Sequence, residues 1–378
     1  VSHMHSFIPP QRTLLGPGPC NVSDRVLEAM ARPTIGHLDS AFVGMMDEIR
    51  SLLRFAFKTE NRMTFPISGP GSAGMECCFV NLVEPGDTVI VCKNGVFGGR
   101  MEENVIRCGG VAVTVDNDWG QPVDVAKAEA ALKAHPGAKI VAFVQAETST
   151  GARSDAAELC RLAQEHDCLT IVDTVTSLGG IEVSIDEWGA DAVYSGSQKC
   201  LASPPGLSPV TFSPKAVEVV ANRRTKVQSW FLDLNLLMGY WQAEGGRSYH
   251  HTAPINLLYA LHESLLMLKE EGLEAAWSRY ESNYELLRAG LESMGLSVPV
   301  TRGDHLPELV TVTVPDGVDE AEIRTRMLED HGIEIGAGLG QLAGKVWRIG
   351  LMGQNSSPET VRICLDALKA SMRVAETA

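Results

Sequence analysis

Asp191-Ala-Val-Tyr194-Ser195-Gly196-Ser197-Gln198-Lys199, continued by Cys200-Leu-Ala-Ser-Pro204-Pro205-Gly206, reads as a short apolar strand, a turn of small polar residues and a Pro-Pro-Gly break. One lysine stands in the turn. No acidic residue lies within six positions of it to pair with its charge. Ser195, Gly196 and Ser197 leave room for a bulky group against the amine. A desolvated lysine has a lowered pKa and can condense with an aldehyde. A lysine beside a Gly/Ser turn is by default a solvated surface residue, so Lys199 needs a second signal.

That signal lies upstream. Cys168-Leu-Thr-Ile-Val-Asp173-Thr174-Val-Thr-Ser177 is a nearly continuous apolar run that ends in a carboxylate. Strands buried on both faces of a parallel sheet have this composition, and ligands bind beyond their carboxyl ends. Asp173 and Lys199 at two such strand ends form a pair that pyridoxal phosphate requires. The lysine takes the aldehyde, and the acid stands against the pyridine nitrogen.

Other stretches point the same way. Thr64-Phe-Pro-Ile-Ser68-Gly-Pro-Gly71-Ser72-Ala73-Gly74-Met-Glu76 is a strand running into a glycine-rich turn and a helix expected over 75–82. Backbone amides at such a helix start attract phosphate. A dinucleotide site is the rival reading, but the GxGxxG spacing and its acidic ribose reader are missing. Further apolar strands run over 88–92, 111–115, 139–144 and 208–212, alternating with amphipathic helices such as 123–135. This alternation from 64 to 212 predicts a doubly wound α/β fold. Beyond it, helices are expected over 256–271, 273–294 and 319–331, with strands at 309–314 and 332–335, as an α+β unit. In Val346-Trp-Arg348-Ile-Gly-Leu-Met-Gly353 a single arginine sits among apolar neighbours. Such an arginine needs an anion, and a planar carboxylate fits its fork; a structural salt bridge is the other possibility.

Ser195-Gly-Ser-Gln-Lys199 with Pro204-Pro-Gly206 resembles the lysine motif of the class V, fold-type I pyridoxal-phosphate aminotransferases. Within them the chain is most similar to the alanine–glyoxylate and serine–pyruvate/glyoxylate group, with matches from Leu14-Leu-Gly-Pro-Gly-Pro19 to Arg348-Ile-Gly-Leu-Met-Gly353. The resemblance implies a large cofactor domain with a mostly parallel seven-stranded sheet over 14–271. It also implies an N-terminal arm over 1–13 and a smaller α+β domain over 272–378. It makes Lys199 and Asp173 catalytic. It places Gly71, Ser72 and Ala73 at the cofactor phosphate, Phe97 on the pyridine face, and Thr148 and Gln198 against cofactor or substrate. Gly18, His37, Thr148 and Arg348 fall at the substrate, with Arg348 on its carboxylate. Tyr249 and Thr252 fall on a segment that crosses to a partner subunit and holds its cofactor phosphate, which implies a homodimer with shared sites. Members of this group often carry tryptophan where Phe97 stands; phenylalanine keeps the stacking and lacks the indole N–H. For Phe97 the alternative is ordinary core, for His37 a cap or core residue, and for Thr148 a cap of the helix over 155–164.

The bulk numbers limit the rest. A length of 378 residues favours two domains. A net charge of −15 argues against nucleic acid and anionic membranes as partners. Nine cysteines without a CxxC pair read as reduced, buried thiols and not as a disulfide or zinc framework. His250-His251 lacks a third ligand at metal spacing, so no metal is expected. No signal peptide is expected, and no apolar run of about 18 or more residues is present. Val1-Ser-His-Met4 reads as a tag scar ahead of a native Met4, and Glu376-Thr-Ala378 is no peroxisomal tripeptide, so the cytoplasm is expected. Trp230 to Trp241 is core or subunit interface, and Arg223-Arg-Thr-Lys226 reads as a solvated basic cluster.

The expected activity is transfer of an amino group from alanine or serine to glyoxylate or pyruvate. A desulfurase on the same fold needs a cysteine ahead of the substrate arginine, and 320–347 contains none. Ureidoglycine–glyoxylate transfer is the closer rival; the Gly36-His37 pair favours alanine or serine.

Overall fold

The structure is a computed structural model, and it describes residues 5–241 and 247–376. Val1 to Met4 and the last two residues lie outside the described residues.

Seven strands form the large sheet: β2 (Met63–Ser68), β3 (Thr88–Lys93), β4 (Val111–Asp116), β5 (Ala138–Val144), β8 (Leu169–Asp173), β9 (Ala192–Tyr194) and β10 (Leu207–Phe212). Their order is β2-β10-β9-β8-β5-β3-β4. Only β10 runs against its neighbours; the pairs from β9 to β4 are parallel. The expected mostly parallel seven-stranded sheet is therefore observed. The reason is in the residues. β5 reads Ala-Lys-Ile-Val-Ala-Phe-Val and β8 reads Leu-Thr-Ile-Val-Asp, and both are buried nearly throughout. Runs with no polar alternation need cover on both faces, which crossover helices supply.

Parallel pairing also aligns the strand ends. Val144, Asp173 and Tyr194 face one another in register across β5, β8 and β9. β4 and β5 leave β3 on opposite sides, so the segments after β3 and β5 meet at the point where strand order reverses. That crevice is where such sheets bind ligands. A two-residue hairpin follows β5, with β6 (Ala146–Glu147) paired to β7 (Ala152–Arg153).

The second sheet has the order β1 (Thr13–Leu15), β12 (Ile333–Ala337), β13 (Val346–Gly350), β11 (Leu309–Thr313). Trp347 and Ile349 of β13 enter a core with Leu15, Leu287 and Val310. This sheet corrects the expected division at residue 14. Thr13, Leu14 and Leu15 pair in parallel with Ile333, Glu334 and Ile335. A strand that reads as the start of the large domain completes the edge of the small one. The strand expected at 332–335 runs further, since Gly336 and Ala337 belong to β12 and pair with Arg348 and Trp347.

Helix ends follow local chemistry. Ser23 caps 24–30 by accepting from Val26 N. Asp155, and not Thr148, caps the helix Ala156–Glu165. The 223–226 cluster is not simply solvated: Arg223 donates to the carbonyls of Asn81 and Val83, and Glu84 accepts from Arg224 N and Thr225 N. The 230–241 stretch divides, with Tyr240 and Trp241 buried and Trp230 exposed.

Glu308, just before β11, is fully buried, and neither carboxylate oxygen has a hydrogen-bond partner among the described residues. Burial pushes its carboxyl up to about 8 from 4.5. Between these values the unfolded chain releases the proton and the folded chain keeps it, so this residue makes stability fall as pH rises from about 4.5 to about 8. Glu308→Gln should therefore raise Tm, relative to the parent, more at pH 8 than at pH 5. Scanning calorimetry at the two pH values checks this, and an equal or smaller gain at the higher pH contradicts it.

Candidate active site

Lys199 sits in the turn after β9 with 8% of its surface exposed. Its Nζ donates to Pro17 O. Gly18 follows in that turn with φ +93°, and a Cβ there would lie 2.7 Å from Lys199 Nζ. Glycine is thus required for two reasons, backbone conformation and space for the amine. Burial, and after it the charge of Arg348, lowers the amine to about 8 from 10.5. A neutral, nucleophilic amine is then accessible near neutral pH.

Asp173 ends β8 and is 2% exposed. One carboxylate oxygen accepts from Val175 N and the other from the Tyr194 hydroxyl, both at 2.8 Å. Burial outweighs these bonds and raises the carboxyl to about 7. A cation placed beside it would return it to the anionic form.

A cavity of about 200 Å³ opens between these residues, lined also by Gly71, Ser72, Phe97, Thr148 and Gln198. The helix Gly71–Leu82 begins here behind Pro70, with no side chain capping its first amides. Ala73 N donates to Pro70 O at 2.7 Å, which leaves the two amides ahead of it, those of Gly71 and Ser72, for an anion. Gln198 Oε1 is buried and bonded to nothing among the described residues. Arg100 also lines the cavity, its guanidinium 4.8 Å from the centre of the Phe97 ring.

Arg348 approaches from the small sheet and is 5% exposed. Its Nε donates to Ala337 O at 2.7 Å and Nη1 to Thr148 O at 3.0 Å. It forms no ion pair among the described residues. Burial lowers it to about 10, partly offset by Glu147. A guanidinium this buried calls for an anionic partner.

A sequence model of the family described as Aminotransferase class-V matches residues 22–369. The chain belongs to the class V aminotransferases. An alanine–glyoxylate aminotransferase of Drosophila melanogaster is 38% identical over 367 residues, which cover 96% of this chain and 93% of that protein. The crystal structure of an alanine–glyoxylate aminotransferase from Nostoc sp. superposes with a TM-score of 0.96 at 48% identity, covering 98% of this chain and 97% of that one. The ureidoglycine–glyoxylate aminotransferase structure from Bacillus subtilis also gives 0.96, at 37% identity, covering 99% and 96%.

As a class V aminotransferase the chain is a transferase that uses pyridoxal phosphate, and the cavity fits that cofactor. Lys199 would take the aldehyde and Asp173 the ring nitrogen. Phe97 would cover a ring face, and the Gly71 and Ser72 amides would take the phosphate; the Ala73 amide, expected beside them, is bonded to Pro70 O, and Ala73 does not line the cavity. The unpartnered Gln198 Oε1 shows that the cavity wall is not complete by itself.

Not every expected residue is brought together in one chain. Tyr249 is 62% exposed, Thr252 is exposed, and neither lines the cavity. His37 is half-buried beside Tyr249, ring centres 5.2 Å apart, and does not line the cavity. His250 and His251 bond to each other through Nδ1, and His251 Nε2 bonds Ser68 Oγ. Among the described residues no cluster suits a metal ion. The sequence reading also missed contributors. Tyr194 holds Asp173, and Thr176 Oγ1 lies 2.5 Å from Thr148 Oγ1. Tyr194 was signalled only by its position at the end of the strand beside Asp173's.

Arg348→Lys should damage the enzyme nearly as much as Arg348→Ala, because an ammonium cannot present a two-pronged fork. Losing a buried charge-assisted pair costs roughly 3–5 kcal/mol, or about a hundredfold to several thousandfold in kcat/KM. Cofactor absorbance should not change in either variant. A lysine variant with parental kcat/KM would make Arg348 structural.

Proposed function

We propose that this aminotransferase moves an amino group from alanine or serine to glyoxylate or pyruvate in two half-reactions. The observation that carries this is Arg348: a buried guanidinium without a carboxylate partner among the described residues, its Nη1 on the carbonyl of Thr148 at the wall of a small cavity. Every amino and 2-oxo acid brings the missing carboxylate. The modest volume supports small side chains.

When bound, pyridoxal phosphate supplies an aldehyde and a ring that draws electrons from the substrate carbon. Asp173 stays anionic against the ring nitrogen and holds its proton there, with Tyr194 and the Val175 amide fixing its orientation. Lys199 Nζ, once released, moves a proton to and from the substrate α-carbon, a task suited to an amine brought down toward neutrality. Arg348 orients the substrate. The small sheet brings Arg348 and Thr311 to the carbonyls of Thr148 and Thr150, which limits water at the reacting atoms.

The names of the relatives carry two donors, alanine and ureidoglycine. We favour alanine or serine, supported by the Drosophila and Nostoc relatives. We also infer a cytoplasmic homodimer with shared sites. Support comes from the exposed Tyr249 and Thr252 and from nearby exposed Trp230 and Leu236, apolar surface of the kind subunit interfaces cover. The nine free, buried thiols fit a reducing compartment.

Stopped-flow absorbance with alanine, serine and ureidoglycine, followed by glyoxylate, should give the fastest cofactor conversion with alanine or serine. Conversion by ureidoglycine alone reverses the assignment. For the shared site, Lys199→Ala protein mixed with Tyr249→Phe/Thr252→Ala protein should regain activity in heterodimers. A cofactor-loaded, active monomer in sedimentation velocity rules out sharing.

A further inference from the structure

Glu147 has no role in the reading above, yet its side chain is fully buried at the crevice. Its Oε1 accepts from Ser149 N at 3.1 Å and from Ser149 Oγ at 2.5 Å. Ser149 Oγ in turn accepts from Val96 N at 3.0 Å. Val96 opens the helix Val96–Arg107, which carries Phe97 and Arg100. The residue before it, Gly95, has no side chain with which to cap it. A Cβ at Gly95 would lie 2.5 Å from Ser149 Oγ and collide with the Glu147 carboxylate. The glycine thus lets a carboxylate from another strand end come close beneath the helix start. Such a site attracts an anion, through unsatisfied amides and through the helix dipole.

The same few residues reach the other wall. Thr148 O accepts from Arg348 Nη1 and Thr150 O from Thr311 Oγ1. Arg348 and Thr311 are cross-strand partners in the small sheet. Glu147 O closes the turn by accepting from Thr150 N and Gly151 N at 3.1 and 2.8 Å. The aromatic wall and the cationic end of the site therefore hang on one turn.

We propose that Glu147 is a positioning residue: relayed by Ser149, its carboxylate caps the helix that presents Phe97 and fixes that ring relative to Arg348. Burial outweighs the Ser149 bonds and the Phe97 and Gly98 amides and raises its carboxyl, and its Oε2 is buried without a hydrogen-bond partner among the described residues. The inference rests on the aminotransferase reading only for where the cofactor lies.

Glu147→Gln keeps the shape and removes the charge. The full-length chain, stripped of cofactor and titrated with pyridoxal phosphate, should bind it about fivefold to tenfold more weakly, the size expected for a lost cap. The visible circular dichroism of the bound cofactor should weaken, and KM for glyoxylate should rise more than kcat falls, while Tm stays near the parent's. Ser149→Ala should reproduce the weaker binding and dichroism. The double variant should be no worse than Glu147→Gln, since both act through one relay. Parental affinity and dichroism in Glu147→Gln overturn the proposal. So does a fall in Tm with both preserved, which marks a purely structural role, and so does additivity in the double variant. If the parent itself fails to take up pyridoxal phosphate, the aminotransferase reading fails and takes the proposal with it.

Discussion

Two cations, Lys199 and Arg348, are held out of water close enough to repel, with no carboxylate paired to either among the described residues. Most of the surrounding architecture follows from that constraint. Desolvation alone lowers both groups, and their mutual repulsion lowers Lys199 further. The fold tolerates the arrangement through carbonyls: Pro17 O for the amine, and Ala337 O and Thr148 O for the guanidinium. Carbonyls satisfy N–H donors without neutralising them. Both charges therefore remain available to a ligand that brings its own negative charge, and the same logic separates this pair from an ordinary buried salt bridge.

Strand ends were the most legible part of the chemistry. Asp173 and Lys199 can be read as site residues because a fully apolar strand that stops at a charged or polar residue marks the edge of a buried parallel sheet. Arg348 was visible for a related reason, as a charge in a strand that is otherwise core. The alternating strands from 64 to 212 were legible too, since each is a local run with its own composition, while the count of seven came from the family resemblance.

What it did not convey is where non-local partners meet. Nothing local assigns Thr13–Leu15 to a sheet whose other strands lie beyond residue 308, because a three-residue edge strand has no periodicity to read. Tyr194 looks like strand core until parallel register sets it beside Asp173. Glu147 looks like a loop acid, and its burial under Gly95 depends on how the segments after β3 and β5 meet. Tyr249, Thr252 and His37 do not line the cavity beside Lys199 within one chain, and no motif states how far a segment must travel to reach a site.

The pairing of β1 with β12 has a consequence for biosynthesis. Residue 13 leaves the ribosome well ahead of its partner, residue 333. The large sheet, whose strands end by residue 212, can assemble while synthesis continues. The small sheet cannot close its edge until β12 has emerged. Pro17 and Gly18, which pack on Lys199, lie just past β1. The nascent protein therefore carries a formed large sheet with an unfinished catalytic mouth, and it becomes competent only when β1 and β12 meet.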